Sequence, residues 1–449
     1  PAPAPPGFEN SWWPLVSAHP PTGEIPLPVT GATPVYREGN EAPKPAKQPL
    51  VWWSLIVAAG SMLTAMTFPG QTAGLSPFTD PLIESLDIDR TAISFSYLLA
   101  TLTGALTMPI LGRVLDKYGA KRAIIVIGFL LMSVVFLASF ITDIIGLTAS
   151  YVGLRMTGQG ALSLAATTLI ARTITYRPGL ALGIVGAVGS AGISLAPVGV
   201  ERLIAFTDIA TAWRIEAALV AIIVLPIAFL LPKDLPQTTT ETGSHIVIVP
   251  EAGYTSREAL RTGMFWVLAM AGFMVGMLST GLAFHLISIL GAQGLGTLEA
   301  AANFIPQTVA AVAATLGLGA IVDRIDPRWG VAGSMLTLSG TLLLLPLVGT
   351  GFSGILFGLL LGASMGALRG VEAAAFVRYY GRGHIGAIRG IATSIGLAST
   401  ALGPLYFALG LSFSGSYLGA AVLAALFPLL VALGAMFVKP PPAPATLEA

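Results

Sequence analysis

No cysteine occurs in the 449 residues, which excludes disulfides, thiolate metal sites and cysteine nucleophiles. Charge is also scarce. Asp, Glu, Lys and Arg make up 10% of the chain, against about 25% in soluble domains, so a soluble globular fold is excluded. No phosphate-cradling GxxxxGK[ST] loop, metal-ligand spacing or nucleophile elbow is present, and the sequence gives no support for an enzyme or a bound cofactor. A short basic n-region, apolar core and cleavage site are missing from the start, so no removed signal peptide is expected. What is plentiful is apolar surface: 54% hydrophobic residues and a mean hydropathy of +0.81. Nearly all of the stretch from Pro49 to Val438 consists of apolar runs of roughly 20 residues, each able to cross a hydrocarbon core of about 30 Å.

Twelve spans can be placed, at about 50–75, 91–113, 122–143, 147–172, 179–201, 212–232, 263–290, 298–322, 329–349, 352–377, 385–410 and 415–438. The net charge of +1 hides a strong asymmetry. One side gathers Arg113, Lys117, Lys121, Arg122, Arg172, Arg177, Arg257, Arg261, Arg324, Arg328 and Arg378. The other holds only Arg90, Arg202 and Arg214, beside acids such as Asp80, Glu84, Asp89, Asp143 and Asp208. The positive-inside rule therefore predicts that both termini are cytosolic.

The two halves repeat. Gly112-Arg-Val-Leu-Asp116-Lys117 and Gly319-Ala-Ile-Val-Asp323-Arg324 match at an offset of 207, and so do Lys121/Arg328, Gly183/Gly390, Leu195/Leu402 and Pro197/Pro404. A hydrophobic chain built from two similar halves is the signature of a repeat-built membrane carrier. The expected fold is an all-α membrane protein of twelve transmembrane helices in two pseudo-symmetric six-helix bundles, residues 49–232 and 263–438, joined by a cytosolic linker over 233–262. Tails occupy 1–48 and 439–449. The first tail is Pro-rich and carries Trp12-Trp13, which suggests a tether to other membrane proteins. From it follows a rival reading, a transporter-like accessory subunit of a larger complex.

Asp116 with its basic, glycine-flanked surroundings resembles the signature loop of the major facilitator superfamily, with a weaker copy at Asp323. Within it the chain resembles the oxalate/formate exchanger and monocarboxylate transporter branch, through Leu154-Arg155-Met-Thr-Gly158-Gln159-Gly160, Arg177-Pro-Gly-Leu-Ala-Leu-Gly183, Phe265-Trp266 with His285 downstream, and Tyr380-Gly381-Arg382-Gly-His384. The resemblance implies alternating access driven by an ion or substrate gradient. It also implies a gating role for Asp116, Lys117, Arg122, Asp323, Arg324 and Arg328; the alternative is that the basic ones only set topology. One departure matters. Carriers of this branch place an arginine four residues before the glycine of the second loop, and here that position is Thr315.

Charges at mid-membrane depth are costly, at least about 2.5 kcal/mol each unless they face protein or water, so they mark candidate sites. Arg155 and, one turn on, Gln159 lie in the fourth span. Arg369 and Glu372 stand at i and i+3 in the tenth. The two arginines are read as holding an anionic substrate, with Glu372 as proton-coupling group or counter-charge; alternatively Arg369 and Glu372 neutralise each other. His285, a residue able to titrate, joins the list. So do Gln71 at a Pro-Gly break in the first span, and Asn303 and Gln307 flanking Pro306. Met270, Met274 and Met277 lie at helical spacing and read as core or lipid-facing rather than as a metal path. Gly183, Gly186, Gly189 and Gly192 suggest close helix packing.

Overall fold

The computed structural model describes residues 49–174, 176–231, 253–322, 324–381 and 385–442, except the side chains at 109, 112, 113, 116, 178, 179, 373 and 386. Trp12, Trp13 and Asp323 lie outside this set, as does the side chain of Asp116. Among the described residues twelve spans are formed. Eleven are helical stretches apolar and long enough to cross a membrane. The other is the fourth, which runs from Ile144 to Thr173 but is divided by a π-helical segment, Arg155–Leu162.

The first span extends well past its expected end, to Leu86. It breaks after Ala65, passes through the 3-10 turn Phe68–Gly70 and resumes as Thr72–Leu86. Pro77, Pro81 and Asp80 in this last part read like a loop in the sequence. An ion pair with Arg90 at the start of the second span neutralises Asp80 there.

We call the side where the described chain enters and leaves the terminal face, and the opposite side the distal face. Several distal acids are helix caps. Asp89, Asp143 and Asp208 accept from the amides of Ala92, Gly146 and Thr211 at 2.6, 2.7 and 2.9 Å, starting the second, fourth and sixth spans. Bonds from the Thr211 hydroxyl and amide hold the Asp208 carboxyl below the usual carboxylate range. On the terminal face Gly119, at φ 79°, makes the turn into the third span, and the Lys121 ammonium caps the Phe229 and Leu231 carbonyls that end the sixth.

Helix pairing repeats between the halves. Spans one and five, two and four, and three and six pack together, and so do seven and eleven, eight and ten, and nine and twelve. The tightest pairing is a ladder. Gly362, Gly366 and Gly370 of the tenth span lie against the carbonyls of Gln307, Ala311 and Thr315 of the eighth, so close that a Cβ at any of them has no room. Of the four glycines spaced by three in the fifth span, Gly189 and Gly192 are at a helix contact, against Thr64 and Ala65. Gly183 and Gly186 face open space.

The halves meet on the distal side. Their interface joins the second span to the eleventh, the fifth to the eighth and the first to the seventh. Among the described residues every hydrogen bond between the halves lies there: Arg90 to His285, Ser94 to His285, and Ser194 to Thr308. Toward the terminal face, Gly183, Gly186, Gly317 and Gly390 have nothing within 4 Å of an added Cβ, and Arg369 is solvent-exposed despite its depth in the tenth span. The bundles therefore close at the distal face and part toward the terminal one.

Candidate functional site

Arg155 opens the π-helical segment of the fourth span, opposite the break in the first. A π turn inserts a residue into the helix and is frequent at functional sites. Gly158 and Gly70 let the two backbones touch: a Cβ on Gly158 would stand 3.0 Å from Gly70 Cα. That contact delivers the Gly70 carbonyl, to which Arg155 Nη1 donates at 3.1 Å, while Thr72 Oγ1 lies 3.5 Å from the same nitrogen. The guanidinium sits over the Tyr97 ring at 4.7 Å, and the Tyr97 and Thr72 hydroxyls share a 2.6 Å bond. Phe284, from the other half, closes the site with its ring 4.6 Å from Tyr97 and 6.5 Å from Tyr151.

Arg155 is 3% exposed. Among the described residues it has no carboxylate partner, and its Nε has no acceptor. Tyr151 stands one turn earlier on the same helix face, and its buried hydroxyl is also without a partner. Two buried donors thus lack acceptors beside an uncompensated cation. A small anion that accepted from both would satisfy the site.

Arg369 and Glu372 lie elsewhere. Arg155 is eleven residues below the distal start of its span at Ile144, whereas Arg369 is eleven above the terminal end of its own at Tyr380. Each is therefore about 16 Å from an opposite face. Glu372 is half-buried, and an added Cβ on Gly272 of the seventh span would come within 4.0 Å of its carboxylate. It interacts electrostatically with Arg389 and Arg369 and makes no ion pair with either among the described residues. The structure gives the two charged groups different surroundings: a buried cation under the distal closure, and an Arg369–Glu372–Arg389 cluster on the open side.

The remaining candidates are dispersed. Gln71 donates to Thr67 within its own span at 3.1 Å, and Gln159 is half-buried near the Gly70 contact. Asn303 donates to Gly354 O at 2.6 Å and accepts from Gln307 at 3.1 Å, so both are buried in the packing of the eighth and tenth spans. Thr315 spends its hydroxyl on Ala311 O and Gly366 O in that same contact. His285 is in the distal closure. Lys117 lies over Tyr118, Arg328 pairs with Asp326 at 3.3 Å, and Arg122 and Arg324 are exposed. None of these basic residues reaches the other half among the described residues.

Sequence reasoning missed Thr72, Tyr97 and Phe284, whose proximity to Arg155 is purely tertiary, and Tyr151, which its spacing of four residues from Arg155 could have flagged. It also missed Asp326, which accepts from Tyr379, and Arg378, which donates to Ile325 O at 2.7 Å; both dock the second signature loop on the tenth span. Glu216, a lone acid inside the sixth span, was legible as such and overlooked. It is fully buried, and neither carboxylate oxygen has a hydrogen-bond partner among the described residues. Because nothing there supports a charge, Glu216→Gln keeps the shape, removes a potential penalty of a few kcal/mol and is expected to leave the melting temperature unchanged or higher. A clear loss of thermal stability, measured by dye-monitored unfolding in detergent, would contradict this.

Two six-span bundles related by a repeat, a broken first helix and a mid-depth site at their interface define a secondary transporter architecture. The description Major Facilitator Superfamily matches residues 55–404, and the chain belongs to that family. It is 26% identical over 305 residues to the uncharacterized MFS-type transporter YhjX of Escherichia coli (strain K12), a match covering 66% of this chain and 72% of that one. Its fold is similar to that of a bacterial homologue of the human lysosomal transporter Spinster in an inward-facing and occupied conformation, with a TM-score of 0.70 at 15% identity, covering 89% of this chain and 100% of that one. The nucleoside transporter NupG is also similar, with a TM-score of 0.67 at 15% identity over 85% of this chain and 99% of that one.

Proposed function

We propose that this secondary transporter carries a small organic anion, a monocarboxylate being the best fit, by alternating access driven by an ion or substrate gradient. The single observation that carries the reading is Arg155: a buried cation which, among the described residues, has no acid beside it and whose Nε, like the neighbouring Tyr151 hydroxyl, lacks an acceptor. A carboxylate has two oxygens to offer those two donors and supplies the missing charge. The resemblance to the oxalate/formate and monocarboxylate branch supports the same class, although Thr315 means that the anion contacts the fourth span rather than the eighth. Arg369 and Arg389 then attract the anion to the open side, and Glu372 offsets their charge when the site is empty.

The asymmetry of basic residues supports a bacterial inner-membrane orientation with the terminal face in the cytosol, which makes the conformation described inward-open. On this reading Lys117, Arg122, Arg324 and Arg328, with Asp116 and Asp323, latch the terminal face when it closes. The test is uptake into proteoliposomes of radiolabelled formate, acetate, lactate and oxalate, each with and without a pH gradient. Saturable uptake of at least one, competed by the unlabelled acid, is the expected result. Uptake of neutral solutes but of no carboxylate would overturn the substrate class. A parallel arm with Glu372→Gln is expected to raise uptake at sub-saturating concentration, by about threefold to tenfold, because it removes a negative charge that opposes entry of the anion.

A further inference from the structure

His285 belongs to none of the contacts around Arg155, yet it is the residue on which the distal closure converges. It is 1% exposed and occupies the break in the seventh span, where the helix Gly263–Phe284 ends and Leu286–Gly291 begins. Its hydrogen bonds fix its chemical form. Nε2 lies 3.0 Å from the carbonyl of Pro404, which can only accept, so Nε2 carries the hydrogen. Ser94 Oγ lies 3.3 Å from the same nitrogen and spends its own proton on Arg90 O at 2.7 Å, so it too accepts. Nδ1 is left with a lone pair, and Arg90 Nη1, 3.4 Å away, donates to it.

The ring is therefore neutral in this conformation, and the chain of contacts crosses the two halves: Asp80 of the first span to Arg90 of the second, Arg90 to His285 of the seventh. Tyr417 of the twelfth span packs beside them, 5.7 Å from the imidazole and under the guanidinium at 5.9 Å, with Ser288 on its hydroxyl at 3.2 Å. Asp80, Arg90 and Tyr417 are the titratable groups around the ring among the described residues. Among the described residues the other hydrogen bond between the halves, Ser194 to Thr308, is uncharged and insensitive to pH.

We propose that His285 is a proton-binding site that clasps the distal face shut while neutral and releases it on protonation, coupling the opening of that face to one proton. A second ring proton would occupy the lone pair that Arg90 uses and set two cations against each other in a buried site. Proton binding is thus incompatible with the clasp, and by linkage the closed form is favoured at high pH and depleted as pH falls. A single proton changes the open-to-closed ratio by at most about tenfold per pH unit below the ordinary histidine range near 6.5. The proposal rests on the alternating-access reading above.

The absence of native cysteine makes the experiment direct. Cysteines introduced at Phe206 and Phe413, both 86% exposed at distal helix ends of different halves, would carry spin labels in the full chain in nanodiscs. Electron–electron distances are then measured from about pH 8 to about pH 5, spanning the histidine range. The expected result is a longer-distance population that grows on acidification, approaching tenfold per pH unit, in the wild-type background. His285→Gln abolishes that response, because its amide reproduces the donor to Pro404 and the acceptor for Arg90 but binds no proton. Wild-type distances that stay constant over this range, or a His285→Gln protein that responds as the wild type does, would overturn the proposal. A second pair at Leu180 and Ile321 on the terminal side separates the two readings. If the distal pair opens in acid while the terminal pair never shortens, the clasp stands and alternating access falls.

Discussion

Arg155→Gln should lower carboxylate uptake at sub-saturating concentration by at least about 30-fold, while the protein folds and melts as before or at a higher temperature. The magnitude follows from removing one member of a buried, hydrogen-bonded charge pair formed with the substrate, which costs about 2–5 kcal/mol, with each 1.4 kcal/mol worth tenfold. The stability half of the result discriminates. In the empty protein the guanidinium has the Gly70 carbonyl, a distant Thr72 hydroxyl and the Tyr97 ring as partners, and Nε has none. Glutamine is able to donate to Gly70 without burying a charge, so the fold loses little. Were Arg155 a structural strut between the broken first span and the fourth, the same substitution would lower the melting temperature and uptake together. Arg155→Lys is the complementary arm. It keeps the charge but not the fork, and its single ammonium does not serve Gly70 and a carboxylate in the same geometry. Uptake between the wild-type and Gln values is expected. Tyr151→Phe removes only the second unpaired donor and should raise KM by about tenfold, the worth of one hydrogen bond to a charged group, with kcat less affected. Full activity in both Arg155→Gln and Tyr151→Phe would remove the fourth span from the substrate site.

The parts of this arrangement that are local were legible in the sequence. Apolar runs of span length and the breaker Pro69-Gly70 act on the residues that carry them, and the structure forms a span at each run and a break at that breaker. The fourth span was readable as one run of hydropathy although its π segment divides it into pieces, because burial in lipid depends on composition and not on helix register. The first span was drawn too short because its last part contains Asp80, Glu84 and two prolines. Arg90 neutralises Asp80 there, and that pairing is tertiary. The same limit hid the surroundings of Arg155. Four of its neighbours come from the first, second and seventh spans, and nothing in the spacing of Gly70, Thr72, Tyr97 and Phe284 announces that they meet. His285 was picked out for its ability to titrate. Its position at the joint between the halves required the fold, since the partners that fix its tautomer, Arg90 and Pro404, are 195 and 119 residues away.

The glycines show a signal misread rather than missing. Gly183, Gly186, Gly189 and Gly192 recur every third residue, and Gly358, Gly362, Gly366 and Gly370 every fourth. At about 100° per residue a period of three turns the stripe back by about 60° per step, so it reaches the opposite side of the helix after three steps. A period of four drifts by about 40° and stays close to one face. The second pattern is therefore the one that holds a helix against its neighbour, and it does so along the eighth span at Asn303, Gln307, Ala311 and Thr315.

Gly366 stands in the middle of that ladder, and its substitution is expected to have a large effect on stability. A Cβ there is directed into the carbonyl of Ala311, a backbone atom with no rotamer to change, and Gly366 O must also stay 3.0 Å from the Thr315 hydroxyl. Relief requires the two helices to separate, which loses the same contact at Gly362 and Gly370. Gly366→Ala is expected to cost about 1–3 kcal/mol, the usual range for overpacking a tight core, and Gly366→Leu to abolish recovery of folded protein. Gly340 of the ninth span provides the opposite case. Its added Cβ meets nothing within 4 Å, so Gly340→Ala gains the helix preference of alanine, up to about 1 kcal/mol, at no steric cost. The measurement is the melting temperature of each purified variant together with monodispersity after extraction. The same chemical change thus has opposite signs at two helical glycines of one bundle. Equal tolerance of alanine at both positions would mean that the eighth and tenth spans are not in contact through this ladder, and the placement of Arg369 and Glu372 on the tenth span relative to the open side would have to be redrawn with it.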